Sequence, residues 1–284
     1  MSKNIPFYVF NIKLQTNKST DDRKKEYIRL ITELSNGKFF LQVGKMEAIT
    51  MYSVLGAKRD PDPKYIYGHA AKGTYISGDE INILKDGKIT RGLNDPNQLI
   101  EPATVDFIFI PEIHRLGLQK GPKGPTGKQF EEYLNAYLKK FTDKEDILEI
   151  ILEKDEAVIQ EIFTAKSVYS ISYKISYTND DLTKDFGEEF DEQLKKAKIG
   201  EISVVAKSDN ITEGLNIHES LLLKGGLELA EKNGEIRNAT IVRPGRSKKV
   251  KISNTDKPKI ESFEDDDKGN KWMIWANRLL SIYK

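Results

Sequence analysis

The chain has 284 residues, of which 38% are hydrophobic and 31% charged, so it is long enough for two ordinary globular domains. It has no cysteine, which excludes disulfides, thiolate metal sites and cysteine nucleophiles. It also has neither a long apolar run nor a signal-peptide pattern, so we expect a cytoplasmic protein, and its net charge of +1 hides a strongly acidic segment over residues 143–192 between two basic ones.

The first 142 residues predict a β-rich domain that contains two helices. Pro6–Leu14 mixes aromatic and β-branched residues, as a central strand does. Ser19 and Asp22 form a helix-start signature, and the apolar spacing behind them predicts the first helix over Ser19–Ser35. Further strands are predicted at Lys38–Val43, Ala48–Leu55, Tyr65–Ala71 and Gly73–Ser77, followed by a hairpin of Ile81–Leu84 and Lys88–Arg91 around Asp86-Gly87.

The segment Val105–Phe141 combines a strand, a basic loop and the second helix. The strand stops at Pro111, and an apolar face with helical spacing follows Thr126, which forms a capping box with Gln129. The loop does not match a Walker motif, because Pro122 and Gln129 stand where that motif needs Gly and Ser or Thr. It carries four cations that could contact a phosphate at the helix start: Arg115, Lys120, Lys123 and Lys128. The alternative is a plain structural connection.

Residues 143–284 predict a second domain, of α+β class with a split βαβ core. Its strands are predicted at Ile147–Leu152, Ser167–Tyr177, Glu201–Ala206, Ile236–Val242 and Lys248–Ser253. Its helices are predicted at Asp155–Phe163, in the acidic stretch near residues 180–192, at Glu219–Leu229 and at Trp272–Tyr283. The whole chain is therefore predicted to be an α+β protein with a domain boundary between residues 142 and 143.

A basic hairpin in the second domain is the clearest binding signal. The stretch Arg243–Lys251 contains no acidic residue, and Arg237 precedes its cations, which are Arg243, Arg246, Lys248, Lys249 and Lys251. A β-ribbon of this kind can lie along nucleic-acid phosphates and gain affinity by releasing counterions. Nothing in it resembles a base-reading helix, so such binding would not depend on sequence. The alternative is an edge hairpin that its lysines protect from aggregation.

Motifs of known enzymes are absent from the sequence. The three histidines, His69, His114 and His218, are scattered, and a histidine in such a setting is usually a structural residue. There is no GxSxG or HExxH pattern. Asp266-Asp267-Lys268 has the residue types of a metal nuclease but falls in a predicted acidic loop. We therefore predict no catalytic residue, no metal and no cofactor, and an enzyme is the less favoured interpretation.

Three stretches of the chain resemble a known group of proteins: PFYVFNIKL near the start, FIFIPEIHR in the middle, and Gly124-Pro125-Thr126 before a helix. With the α+β tail, they are similar to an uncharacterised bacterial family met beside phage-defence genes. More remotely, the order of elements resembles the RexA phage-exclusion protein and the KwaB subunit of the Kiwa defence system. The resemblance implies DNA binding without sequence preference, self-association and a role in abortive infection or phage exclusion. It implies no catalytic residue.

The first hypothesis is therefore a non-catalytic homodimer of an anti-phage system that binds the backbone of double-stranded DNA. A second defence protein, bound to the membrane, is a further candidate partner. One alternative is a metal-dependent nuclease or a toxin that acts on nucleic acid. Another is an interaction module whose acidic segment docks on a basic partner.

Overall fold

A computed structural model describes the chain and divides it into two compact units. Unit 1 comprises Met1–Ile150 and Glu261–Lys284, and unit 2 comprises Ile151–Ile260. The described residues are 3–16, 18–34, 39–56, 60–75, 80–85, 88–93, 99–176, 190, 192–194, 196–210, 212–265 and 270–284.

Unit 1 is built on an eight-stranded sheet. Its strands, with those of a separate hairpin, are β1 (Lys3–Gln15), β2 (Leu41–Gln42), β3 (Glu47–Leu55), β4 (Ile66–Thr74), β5 (Glu80–Lys85), β6 (Lys88–Leu93), β7 (Ile100–Ile110), β8 (Arg115–Gln119), β9 (Ile147–Leu152) and β14 (Ile260–Asp265). The order across the sheet is β14-β1-β8-β7-β4-β3-β2, and β9 also pairs with β1. The predicted hairpin is confirmed as β5–β6, although Asp86-Gly87 itself lies outside the described residues.

The helices of unit 1 are α1 (Thr20–Glu33), α2 (Gly127–Leu138) and α5 (Lys271–Tyr283). Both predicted helix starts are confirmed. The Ser19 hydroxyl accepts a hydrogen bond from the backbone of Asp22 at 3.3 Å. The Thr126 hydroxyl accepts one from the backbone of Gln129, whose side chain in turn accepts one from the backbone of Thr126. Such reciprocal caps satisfy amide donors that have no partner inside the helix.

The sheet is buried on both faces around β1. Successive side chains of a strand alternate between faces, so Phe7 and Phe10 belong to different layers. Phe7 packs against Trp275 of α5 with ring centres 5.3 Å apart. Phe10 packs against Phe130 of α2 at 5.5 Å. The prediction of a central strand is confirmed, because residues 7–14 of β1 are all buried.

The last helix belongs to unit 1. The sequence-based boundary between residues 142 and 143 placed it in the second domain, whereas Glu261–Lys284 forms part of unit 1 in the structure. The physical reason is Trp275, which is fully buried and lies between Phe7 and Phe263, 5.1 Å from the latter ring. Unit 2 is therefore inserted between two segments of unit 1.

Part of the predicted basic loop is a buried strand. The stretch Arg115–Gln119 forms β8, which pairs with β1 on one side and β7 on the other. Its glycine suggests a turn in the sequence but serves close packing in the fold, because a Cβ on Gly117 would lie 2.9 Å from Nε1 of Trp275. The true connection is thus the shorter stretch between β8 and α2.

Unit 2 has a four-stranded antiparallel sheet. Its elements are α3 (Ala157–Phe163), β10 (Ser167–Ser176), β11 (Glu201–Lys207), α4 (Leu221–Asn233), β12 (Gly234–Val242) and β13 (Lys249–Ile252), with sheet order β11-β10-β12-β13. Because β10 lies between β11 and β12 and is antiparallel to both, β11 and β12 run parallel and are joined through α4. This arrangement confirms the predicted split βαβ core and the α+β class.

Candidate nucleic-acid interface

The cations of the predicted basic hairpin lie on one exposed hairpin of unit 2, formed by β12 and β13. β13 is the edge strand of the sheet, and its Lys249 and Lys251 pair with Val242 and Thr240. The turn is closed by a hydrogen bond of 3.1 Å from the backbone of Arg246 to the carbonyl of Arg243. Its glycine adopts a left-handed conformation with φ 69°. The exposed cations are Arg243, Arg246, Lys248, Lys249 and Lys251.

The hairpin cations differ in how far they are already engaged. Arg243 forms an ion pair with Glu161 of α3, and that hydrogen bond raises the pKa of Arg243, so it stays charged. The ammonium of Lys249 lies 3.4 Å from the ring centre of Tyr169, a cation–π contact. The other three, Arg246, Lys248 and Lys251, make no ion pair with any described residue. These three cations of the hairpin can therefore bind a phosphate without breaking an existing ion pair or cation–π contact.

The hairpin continues into an open face of the sheet. The opposite face packs on α3 and α4 through an apolar cluster. On the open face, one row of paired residues crosses all four strands: Lys207, Ser170, Thr240 and Lys251. The hydroxyls of Ser170 and Thr240 are hydrogen-bonded at 3.0 Å. This row is about 14 Å wide and has a lysine at each end, with hydroxyls between them.

Acidic residues also lie beside this face, but they are paired. Lys174 contacts Glu201 at 2.7 Å, and the predicted contact residue Arg237 contacts Glu235 at 3.1 Å. Arg237 is therefore exposed but partly neutralised. Lys207 was not among the predicted contact residues. The alternation of β10 and of its neighbour was the available signal, since the polar positions of such strands share one face.

The basic residues predicted in unit 1 separate into two groups. Lys120, Lys123 and Lys128 are exposed around the start of α2. Arg115 is not, with only 3% of its surface exposed. Its guanidinium lies 4.8 Å from the ring centre of Tyr283 and donates a hydrogen bond to the carbonyl of Ile113. Arg115 is therefore removed from the predicted phosphate contacts, because β8 places it inside the fold.

A cluster of carboxylates in unit 1 bears on the metal-nuclease alternative. Glu26, Asp143 and Asp146 bring their oxygens within 4.8 Å of one another. The ammonium of Lys18 lies among them, at 3.8 Å, 2.8 Å and 3.3 Å respectively, beside a cavity of about 480 Å³. A cation of the protein itself thus neutralises part of this negative charge. The arrangement fits an ion-pair network that ties the connection after α2 to α1. The other acidic candidates, Asp266-Asp267-Lys268 and most of the stretch 180–192, lie outside the described residues.

Replacing Lys18 by methionine is expected to lower the free energy of unfolding by about 2 kcal/mol at neutral pH, because the Asp146 carboxylate, 5% exposed, would lose its cation. The hydrogen bond from Lys18 lowers the pKa of Asp143, so the part of the stabilisation that comes from the Lys18–Asp143 pair exists above the carboxyl pKa of the unfolded chain and disappears as pH falls through the lower folded value. Asp143 raises the pKa of Lys18, so at the alkaline end the stabilisation is lost only as pH rises through that higher value.

Urea unfolding at several pH values measures this loss. Replacing Lys25 by methionine is the matched control, because its ion pair with Asp22 is exposed and should contribute little. The network would be contradicted if the two variants lost the same free energy of unfolding. It would also be contradicted if Lys18→Met lost as much free energy of unfolding in acid as at neutral pH.

The chain matches a known protein family. A family model described as a domain of unknown function, DUF4747, matches residues 3–278. The match extends over residues of both units, including the basic hairpin and β1. A search of curated proteins finds none that matches the sequence.

Proposed function

The chain belongs to the DUF4747 family, and from the surface of unit 2 we propose that it binds nucleic acid through the phosphate backbone without reading its sequence. The observation that carries this proposal is the exposed hairpin, on which Arg246, Lys248 and Lys251 make no ion pair with any described residue. The predicted ligand remains double-stranded DNA.

The charge and shape of the surface support backbone contact. Flexible lysines and an arginine on an edge hairpin can reach successive phosphates and release the counterions condensed on them. The hydroxyls of Ser170 and Thr240, beside Lys251, are also common partners of phosphate oxygens. The ligand would then lie along the hairpin and over the adjoining edge of the open face.

The same surface supports the absence of sequence preference. The cations stand on a turn and an edge strand, and the helices α3 and α4 pack on the other side of the sheet. Reading of bases usually uses a helix or ribbon with planar amide or guanidinium groups aimed at base edges in the major groove. Lysine, the commonest cation of this hairpin, is a point charge and recognises phosphate rather than a base pattern.

Fluorescence anisotropy with labelled duplexes tests the proposal. Two duplexes of equal length and unrelated sequence are expected to bind with the same affinity. If three to five cations each neutralise about one phosphate, affinity should fall by about 40- to 500-fold between roughly 50 and 200 mM salt. An affinity that does not change with salt concentration, or that differs strongly between the two sequences, would refute backbone recognition.

The biological setting is proposed from the resemblance to phage-exclusion proteins. We propose that the protein acts as a homodimer in the cytoplasm as part of an anti-phage system, together with a second defence protein. No helix within the described ranges combines the length and apolarity that crossing a bilayer needs, which is compatible with this location. Sedimentation of the purified protein tests the dimer, and protection of cells from phage infection tests the role.

A further inference from the structure

A second cluster of reactive side chains lies on unit 1, and we call it the His69 site, formed by His69, Asp106, Lys271, Tyr52 and Trp272. His69 on β4 and Asp106 on β7 are directly paired across the sheet. The Nδ1 atom of His69 lies 2.7 Å from one carboxylate oxygen of Asp106, and the ammonium of Lys271 contacts the other oxygen. The site thus joins residues from four segments that are distant in the sequence.

The contact with Asp106 fixes the chemistry of His69. A carboxylate only accepts hydrogen bonds, so Nδ1 of His69 carries a proton, and in the neutral form of the ring Nε2 holds the free electron pair. About a third of the His69 side chain is exposed, at 36%, while Asp106 is 16% exposed. A partly exposed imidazole that a half-buried carboxylate orients has the arrangement of a general base.

The neighbouring groups provide a binding surface for a nucleobase and a phosphate. Tyr52 is 47% exposed and stacks on His69 with ring centres 5.8 Å apart. It stands at a bulge of β3, and such bulges often reorient a side chain. The ring centre of Trp272 lies 6.2 Å from that of His69 in an edge-to-face arrangement, and Trp272 is half-buried. An exposed ring such as that of Tyr52 can stack on an unpaired base, and Lys271, which is paired with Asp106, is the cation of the site.

The site has a base but no nucleophile of its own. The sequence has no cysteine, and no hydroxyl of a described residue is hydrogen-bonded to His69. The nucleophile is then either water or a group that the substrate supplies. RNA carries one, the 2′-hydroxyl beside each phosphodiester, so RNA can be cleaved by proton transfer alone. DNA lacks this group.

We propose that the His69 site cleaves single-stranded RNA without a metal. The Nε2 atom of His69 removes the proton of a 2′-hydroxyl, the 2′-oxygen forms a bond to the adjacent phosphorus, and the bond from phosphorus to the 5′-oxygen breaks. The leaving oxygen takes a proton from water, and His69 returns its own proton to solvent. The products are a 2′,3′-cyclic phosphate and a 5′-hydroxyl. Asp106 is a positioning residue, and Lys271 attracts the charged phosphate.

Incubation of the full chain with labelled single-stranded RNA and a metal chelator tests this activity. We expect cleavage to 2′,3′-cyclic phosphate ends, with DNA of the same sequence intact. His69→Ala should lower the rate by about 100-fold or more. The matched control His218→Ala, an exposed histidine of unit 2, should leave the rate unchanged. Intact RNA, or equal cleavage by His69→Ala, would overturn the inference.

Two further measurements keep the outcome unambiguous. His69→Gln preserves the size and polarity of the side chain, and its melting curve separates lost chemistry from lost folding. The inference rests on the proposed function for the binding of RNA, whereas the cleavage step depends only on the His69 site. If RNA is bound but not cut, the His69 inference alone fails, whereas RNA that is cut while no duplex is bound contradicts the proposed function alone.

Discussion

Replacing Arg246, Lys248 and Lys251 by glutamate is expected to weaken binding of duplex DNA by about 100- to 1,000-fold at moderate salt. Each change removes a cation that makes no ion pair with a described residue and puts a repulsive charge in its place. The loss should be the same for all duplex sequences, because the proposed contacts are to phosphates. Anisotropy titrations of the triple variant against the unchanged protein measure it.

The salt dependence of the same variant gives a second, independent result. Its plot of log affinity against log salt should become shallower by about three, one for each lost phosphate contact. A matched control changes three exposed lysines of unit 1, Lys64, Lys139 and Lys144, to glutamate and alters the net charge equally. If the control loses as much affinity as the hairpin variant, overall charge rather than the hairpin governs binding, and the assigned surface is wrong.

Replacing Trp275 by alanine is expected to destabilise unit 1 by about 3–5 kcal/mol. The side chain is fully buried against Phe7 and Phe263, and Gly117 leaves room for it on the sheet. Removal would leave a cavity at the contact between α5 and the central strand. Urea unfolding monitored by circular dichroism measures the loss.

A neighbouring residue of the same helix provides the control for this second prediction. Met273 is 50% exposed, so its replacement by alanine should change stability by less than about 0.5 kcal/mol. A small effect at Trp275 would mean that α5 contributes little to the core of unit 1. It would then contradict the assignment of residues 261–284 to that unit.

Local signals explain what could be predicted of the fold. The starts of α1 and α2 depend on side chains three residues apart, Ser19 with Asp22 and Thr126 with Gln129, so the sequence states them directly. The strand β8 depends on its neighbours instead. Its five residues include Gly117, which is needed there because Trp275 packs directly against it. No local sequence pattern around Gly117 predicts that its packing partner is Trp275, about 160 residues away.

The candidate sites show the same division. The hairpin cations are close in sequence, so their shared surface could be predicted from the turn and the strand on either side. Lys207 joins them only through the pairing of β11 with β10. His69 and Asp106 carry no common motif, and the pairing of β4 with β7 brings them together. Arg115 was misplaced for the same reason, since its burial follows from the strands that flank β8.

The insertion of unit 2 between Ile150 and Glu261 sets an order of events during synthesis. The ribosome releases every residue of unit 2 before it releases α5, which supplies Trp275. Domains generally fold as they emerge, so unit 2 can fold first while the Phe7 face of β1 still lacks its covering helix. The nascent chain would therefore present the hairpin that we propose to bind nucleic acid before the sheet that carries the His69 site is complete.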